Sequence, residues 1–321
     1  MAGGRSGWFI GTLVGLALLT VLSATPLPWF VIAPGNPVDL NRAVSVGGAR
    51  PSTDRFLLTD VNVTRASPLR LLLALMPGVV LERETHVVPH GVPLGVYSDV
   101  MRDAMDESQA AAAVVAERAA GYRVPIPPQR VTIADIAARS AVHGALAPGD
   151  VIERVGDHPI RSADDVRRAV DPLAPGSLIR VAFERRGRAR SSLVRTTTID
   201  GHVRLGIVLD ARYGKPKLAV PVNYTMGDIE GGSGGLMMAL RIYDALHGIG
   251  GEPHRTIAGT GTIDYDGRVG RIEGTPQKLI AAKRAGASVF FVPRENYADV
   301  AGERGVRVVP VDTFADALRA L

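Results

Sequence analysis

The chain has 321 residues, of which 46% are hydrophobic and 21% charged, so it can bury a sizeable core and form two domains beyond any anchor. Its net charge of +5 is spread thinly over arginines, with no basic block interleaved with aromatics, which argues against a nucleic-acid partner. The absence of cysteine excludes disulfides, thiol catalysis and cysteine metal sites.

Residues Trp8 to Ala33 are nearly all apolar and uncharged, with Arg5 just before them. As a helix, the stretch from Trp8 to Trp29 spans roughly 30 Å, about one hydrocarbon core, with a tryptophan at each interface. The alternative is a cleaved signal peptide with an apolar core from Trp8 to Leu22. Because apolar residues resume at Leu27, the expectation is a retained membrane anchor over residues 1–35, in contact with the lipid bilayer. Arg5 inside puts the bulk of the chain outside the cytoplasm.

Asn36 to Pro51 is rich in Gly, Pro and polar residues and reads as a linker. Arg55 to Val63 reads as a strand and Pro68 to Met76 as a short apolar helix. His86 and His90 are spaced as metal ligands on a helix would be, but Pro89 lies between them, so they read as ordinary histidines and no metal site is predicted. Asp103 to Ala120 is a strong Ala-rich helix, with Gly121 as its C′ residue.

A second module follows. Val131-Thr-Ile133 is a short strand, and Leu146-Ala-Pro-Gly-Asp-Val-Ile152 a turn running into a strand. Ser162 caps a helix to Val170, with an acid three residues on. Leu178 to Glu184 and Ser191 to Thr198 read as paired strands. This order and the phrase at 146–152 resemble a PDZ domain of the bacterial protease type. The resemblance implies that an extended peptide adds a strand beside the helix, with Val166 and Val170 lining the groove. The alternative is a module that only packs.

Lys217 to Val222 reads as a strand leading into Asp228-Ile-Glu-Gly-Gly-Ser-Gly-Gly-Leu-Met-Met-Ala-Leu240. This is a glycine-dense turn with one serine, followed by an apolar helix from Leu236 to Leu246. A hydroxyl at the mouth of a helix sits among unpaired N–H groups, where an oxyanion can be stabilised. Thr256 to Asp264 reads as a strand. Thr275 is the expected N-cap of a helix with Pro276 at N1 and Gly286 closing it. Two buried strands, Val289 to Val292 and Val306 to Val311, precede a last helix starting at Asp312 or Thr313. Strands alternating with helices imply an α/β or α+β domain.

Gly231-Gly-Ser-Gly-Gly235 satisfies the nucleophile-elbow pattern G-x-S-x-G. That fold needs a later acid and histidine, and His247 and His254 follow too closely. A Walker loop fails because no Gly-Lys-Ser/Thr follows. A lysine base fits better. Lys278 falls in the first turn of its helix, where the dipole and burial both disfavour an ammonium and lower its pKa. Lys283 lies nearer the other end.

Glu230 to Leu236, Thr260-Gly261 and Gln277 to Gly286 resemble the proteolytic domain of Lon, and Asp99 to Gln109 resembles its first helix. The arrangement of anchor, split Lon-like domain and inserted PDZ looks like the YlbL-type membrane proteases. The resemblance implies an α+β fold with one N-terminal transmembrane helix. The Lon-type domain would occupy 36–124 and 214–321, split by a PDZ domain over 125–213. It further implies a serine endopeptidase acting on polypeptides, with no cofactor, and a Lon-like ring of identical copies as a candidate assembly; the lack of a Walker loop leads to the expectation of no ATPase module. Ser233 and Lys278 fall on the catalytic positions and Thr260 on a threonine that contacts the lysine, with oxyanion donors expected around Gly232 and Ser233. Gly232 and Gly234 replace the family's proline and alanine, which loosens the loop. The alternative is a non-catalytic PDZ scaffold whose loop no longer holds Ser233.

Overall fold

The computed structural model describes residues 13, 15–17, 19–88, 94–138, 140–199, 201–227, 229–250 and 254–321. The chain divides into two compact units: Pro125–Lys217, and the remainder formed by residues up to Val124 together with Leu218–Leu321.

The discontinuous unit is built on a mixed sheet in the order Val38–Asp39, Arg55–Leu58, Thr256–Gly259, Val289–Pro293, Arg307–Val311. The last four strands run parallel, and the short first one is antiparallel. Strands covered on both faces read as continuous apolar runs. Val289–Pro293 is buried throughout, and Arg55–Leu58 is buried at all but its first residue. Thr256–Gly259 leads through the helix Thr275–Arg284 to Val289–Pro293, the crossover that parallel neighbours require. The last helix, Phe314–Ala320, starts on a complete capping box, with Thr313 and Asp316 bonding each other's backbone N–H groups.

Leu94–Ala119 forms one 26-residue helix, longer at its N-terminus than the sequence pattern implies. It packs against the helix Gly235–His247. Ala111, Ala112, Ala113 and Ala116 are all buried, and such small side chains let helices approach closely.

Several sequence-based expectations change here. Helical residues at the N-terminus end at Ala24, and Trp29–Pro34 is a strand. It lies in the middle of an antiparallel sheet between Val61–Arg65 and Val80–Arg83. Pro26 and Pro28 lack the N–H groups a helix needs, and Trp-Phe-Val-Ile favours extended backbone. Trp29 is therefore part of the folded unit, and no helix among the described residues is long and apolar enough to cross a membrane. The stretch read as a linker is also folded. Val44–Val46 pairs with Val222–Tyr224, and Leu40 and Val44 are buried. Arg55 to Val63 splits into two strands belonging to different sheets.

The segment read as a strand from Lys217 is irregular up to Val222. Pro216 and Pro221 cannot donate to a ladder. The buried carboxylate of Glu117 instead accepts the N–H groups of Ala219 (2.7 Å) and Val220 (3.1 Å). His86 sits in a short helix with Nδ1 3.2 Å from Glu82, and His90 lies outside the described residues. Among the described residues no cluster of metal-ligating side chains occurs.

The unit Pro125–Lys217 holds a sheet in the order Arg188–Arg195, Leu178–Arg185, Val151–Val155, Gln129–Ile136, Ile207–Tyr213. Asp150, in the 146–152 turn, is buried and paired through both oxygens with Arg185 at 2.6 and 2.7 Å. Its carboxylate also accepts the N–H of Ala147, which closes the turn. The helix Ala163–Val170 is capped by Ser162. Val166 and Val170 are buried in this unit's core with Ile133, Ile152 and Phe183. The helix is amphipathic, and its apolar stripe is spent on the sheet beneath it.

Candidate active site

The serine turn is a single 3₁₀ turn, Gly232–Gly234, running directly into Gly235–His247. Gly231 enters it with φ +88°, a conformation that glycine adopts without steric cost. Gly234 answers to a different constraint. A Cβ there would lie 2.3 Å from Leu58 Cδ1 and 3.0 Å from its Cγ, and Leu58 is itself buried in the central sheet. Gly234 thus admits a leucine against the turn.

The expectation of a loosened loop does not hold, because the turn is pinned on two sides. Ser108 Oγ, from the long helix, donates to the carbonyl of Gly232 at 2.8 Å. Gly231 N–H donates to Met101 O of the same helix at 2.9 Å. From the other side, the carbonyl of Ser233 accepts Gly261 N–H at 2.7 Å and Thr260 Oγ1–H at 3.1 Å. Gly261 O in turn accepts Leu236 N–H at 3.1 Å. The strand Thr256–Gly259 ends beside the turn, so residues 260 and 261 leave the sheet to bond it.

Lys278 reaches the site from the first turn of Thr275–Arg284. The N-cap of this helix is Gly274 in the left-handed region, not Thr275, and the Thr275 hydroxyl is buried without a partner among the described residues. Lys278 is 3% exposed. Its Nζ donates to Ser233 Oγ at 2.7 Å and to Thr260 Oγ1 at 3.2 Å. Burial pushes its pKa down to about 8, against the opposing pull of the Asp60 and Glu273 carboxylates. The predicted trio Ser233, Lys278 and Thr260 is therefore brought together. Lys283 faces outward and pairs with Glu303 at 3.0 Å.

Two neighbours had not been singled out from the sequence. Asp60 follows the strand Arg55–Leu58, which pairs residue for residue with Thr256–Gly259, and so ends beside the same turn. Burial raises its pKa, while the hydrogen bond from Val61 N–H and the charge of Lys278 pull it down. Ser108 is the second, and its partner is 124 residues away. In a trans peptide the carbonyl and N–H point in opposite directions. Holding the Gly232 carbonyl on the long-helix side therefore turns the N–H of Ser233 away from that helix.

Residues 204–316 match the model of the Lon protease (S16) C-terminal proteolytic domain. Lon protease 2 of Bacillus subtilis is 35% identical over 101 residues, covering 31% of this chain and 18% of that protein. The Lon protease of Azospirillum brasilense is 36% identical over 95 residues, covering 28% of this chain and 12% of that protein. The chain thus spans less than a fifth of the length of these relatives. Among solved structures, the PDZ domain of the SdrC-like protein from Listeria monocytogenes aligns with 27% of this chain and 93% of its own, at 17% identity and a TM-score of 0.25. The Ser233 turn and the Lys278 helix both lie within the matched segment, and its residues from Leu218 onward belong to the discontinuous unit.

Proposed function

We propose that the chain is a membrane-anchored serine endopeptidase that works through a Ser233–Lys278 dyad and needs no nucleotide for hydrolysis. The observation that carries this reading is the 2.7 Å contact between Lys278 Nζ and Ser233 Oγ in a buried setting. With a pKa of about 8, roughly one lysine in ten is neutral at pH 7. At the usual lysine value the fraction is about 300-fold smaller. Neutral Lys278 accepts the Ser233 hydroxyl proton as Oγ attacks the scissile carbonyl carbon, and delivers it to the leaving amine nitrogen. The acyl-enzyme is then hydrolysed by a water that gives its proton to the same amine. Thr260 accepts a hydrogen bond from the amine and donates one to the Ser233 carbonyl, so it orients base and turn together. The Ser233 N–H, and Gly232 beside it, supply the oxyanion donors.

The rival reading, a scaffold with an unformed site, predicts no covalent reaction. A fluorophosphonate probe is expected to label the wild type at Ser233 and to leave Ser233→Ala unlabelled. An unlabelled wild type favours the scaffold.

Ser108 acts through the turn as a positioning residue. Ser108→Ala is expected to lower kcat on the order of 10-fold to 100-fold with KM little changed, the range typical of a small misplacement of reacting groups. Ser108→Thr, which keeps the hydroxyl, should recover most of the rate. Equal rates for Ala and wild type at equal thermal stability would remove Ser108 from the machinery.

The inserted unit fits the recruitment of extended polypeptides. Its sheet ends on Ile207–Tyr213, whose other edge pairs with no strand among the described residues, and the helix Ala163–Val170 packs on that strand. An open edge beside a helix is where an extended peptide adds a strand. Replacing Pro125–Lys217 by a short linker is expected to leave the hydrolysis of a small unstructured peptide intact. It should raise KM for protein substrates about tenfold, equivalent to about 1.4 kcal/mol of docking. Unchanged KM for both substrates would leave the unit with a packing role only.

Anchoring is supported by the run Trp8 to Leu22 and by Leu13, Leu16, Leu19 and Val21, all exposed on helical backbone. The bulk of the chain is assigned outside the cytoplasm, with Arg5 inside. Resistance to carbonate extraction is expected, and a mature chain beginning near Thr25 would mean cleavage instead.

A further inference from the structure

An apolar surface outside the core lies between two strands of the Trp29–Pro34 sheet. From Val61 to Leu81 the sequence contains no acid, and its charges are Arg65 and Arg70. Arg70 to Leu75 forms a 3₁₀ helix with no buried residue. Leu72 is 60% exposed, Leu75 83% and Met76 54%, with Leu69 and Leu73 also exposed. Exposed contiguous apolar surface of this kind marks a contact with lipid or another protein.

Two backbone hydrogen bonds indicate which. Leu69 N–H donates to Leu22 O at 3.3 Å, and Leu27 N–H donates to Ala66 O at 2.9 Å. The segment is thereby joined to the foot of the N-terminal helix, whose own leucines are exposed. Whatever surface receives that helix meets Leu69 to Met76 as well. The charges fit the same surface. Arg70 is exposed and donates to Arg65 O. The Arg83 guanidinium stacks 5.3 Å from the Trp29 ring centroid. Arg70 within the aliphatic segment, and an arginine–tryptophan pair on the adjoining sheet, suit the headgroup region of a bilayer. Specific protein interfaces favour aromatic anchors, and Leu71 to Val80 contains none.

We propose that Leu69 to Met76 inserts into the interfacial layer of the lipid bilayer as a second contact beside the N-terminal helix, holding the proteolytic unit against the membrane at two points. The inference rests on the anchored reading above and is independent of the chemistry at Ser233. It would keep the unit from swinging freely on a single tether.

The chain has no cysteine, so Leu75→Cys supplies one unique thiol at an exposed position. The full-length variant carrying an environment-sensitive fluorophore there is reconstituted into phosphatidylcholine vesicles with a minority of phosphatidylglycerol. Co-flotation with the vesicles, quenching by a lipid-borne nitroxide and protection from aqueous iodide are the expected results. Co-flotation with free quenching by iodide would overturn the inference while leaving the anchor intact. Protection from both quenchers, together with disulfide formation between the introduced thiols of two unlabelled copies, would assign the patch to a second copy of the chain and overturn it too. Failure to float would sink the anchor and the inference together.

Discussion

Lys278→Met is expected to lower kcat by on the order of 10³-fold or more, as for nucleophile–base pairs that act as a unit. Methionine keeps the apolar stem and most of the volume of a side chain that is 3% exposed, so packing is largely preserved and the loss reports the amine. Ser233→Ala should fall to the same floor, and the double variant no further. Lys283→Ala is the matched control. Its amine pairs at the surface with Glu303, and its removal should leave turnover unchanged. Steady-state hydrolysis of a fluorogenic peptide at neutral pH measures all four. Near wild-type turnover by Lys278→Met, with a loss in Lys283→Ala, would transfer the base to Lys283.

The proposed dyad predicts that the rate of Ser233 acylation rises about tenfold per pH unit up to about pH 8 and levels off above it, because it requires neutral Lys278. Burial is the cause of the low pKa, and Asp60 and Glu273 partly oppose it. The direction of a further shift follows. Asp60→Asn removes a carboxylate that favours the ammonium, so the limb should move to lower pH. The same burial bears on stability. A buried ammonium opposes folding, and that penalty is fully present below about pH 8. It fades as pH rises to the ordinary lysine range, where the unfolded chain also loses the proton. A flat acylation profile between about pH 6 and about pH 9, read by single-turnover kinetics, would remove Lys278 as the titrating base.

Features that depend on a few neighbouring residues could be read directly. The turn at Ser233 is marked by four glycines before an apolar run, and the helix Thr275–Arg284 by Pro276 and Gly286. The helix Ala163–Val170 is marked by Ser162 with an acid three residues on. Each is settled by local sterics and capping, which act within one or two turns. The placement of lysine in a first turn, together with the Lon-like spacing, was enough to pair Lys278 with Ser233.

What only the tertiary structure decided is where separate segments meet. Trp8 to Ala33 is nearly all apolar, and apolarity does not distinguish a span from a strand. Pairing with Val61–Arg65 and Val80–Arg83 made Trp29–Pro34 the centre of a sheet. Val166 and Val170 carry a spacing that serves a groove or a core alike, and only the folded unit shows that both are buried. Ser108 and Glu117 lie in a segment that reads only as an Ala-rich helix. Their partners, Gly232 and the amides of Ala219 and Val220, are more than a hundred residues away. Asp60 falls inside what the sequence presents as one strand, Arg55 to Val63, and strand register sets its charge against that of Lys278. The sequence by itself determined the glycine turn around Ser233 and the first-turn position of Lys278, because turn sterics and helix position are set by near neighbours. The fold decided which residues are buried and held, because burial and long-range hydrogen bonds exist only once the chain has closed on itself.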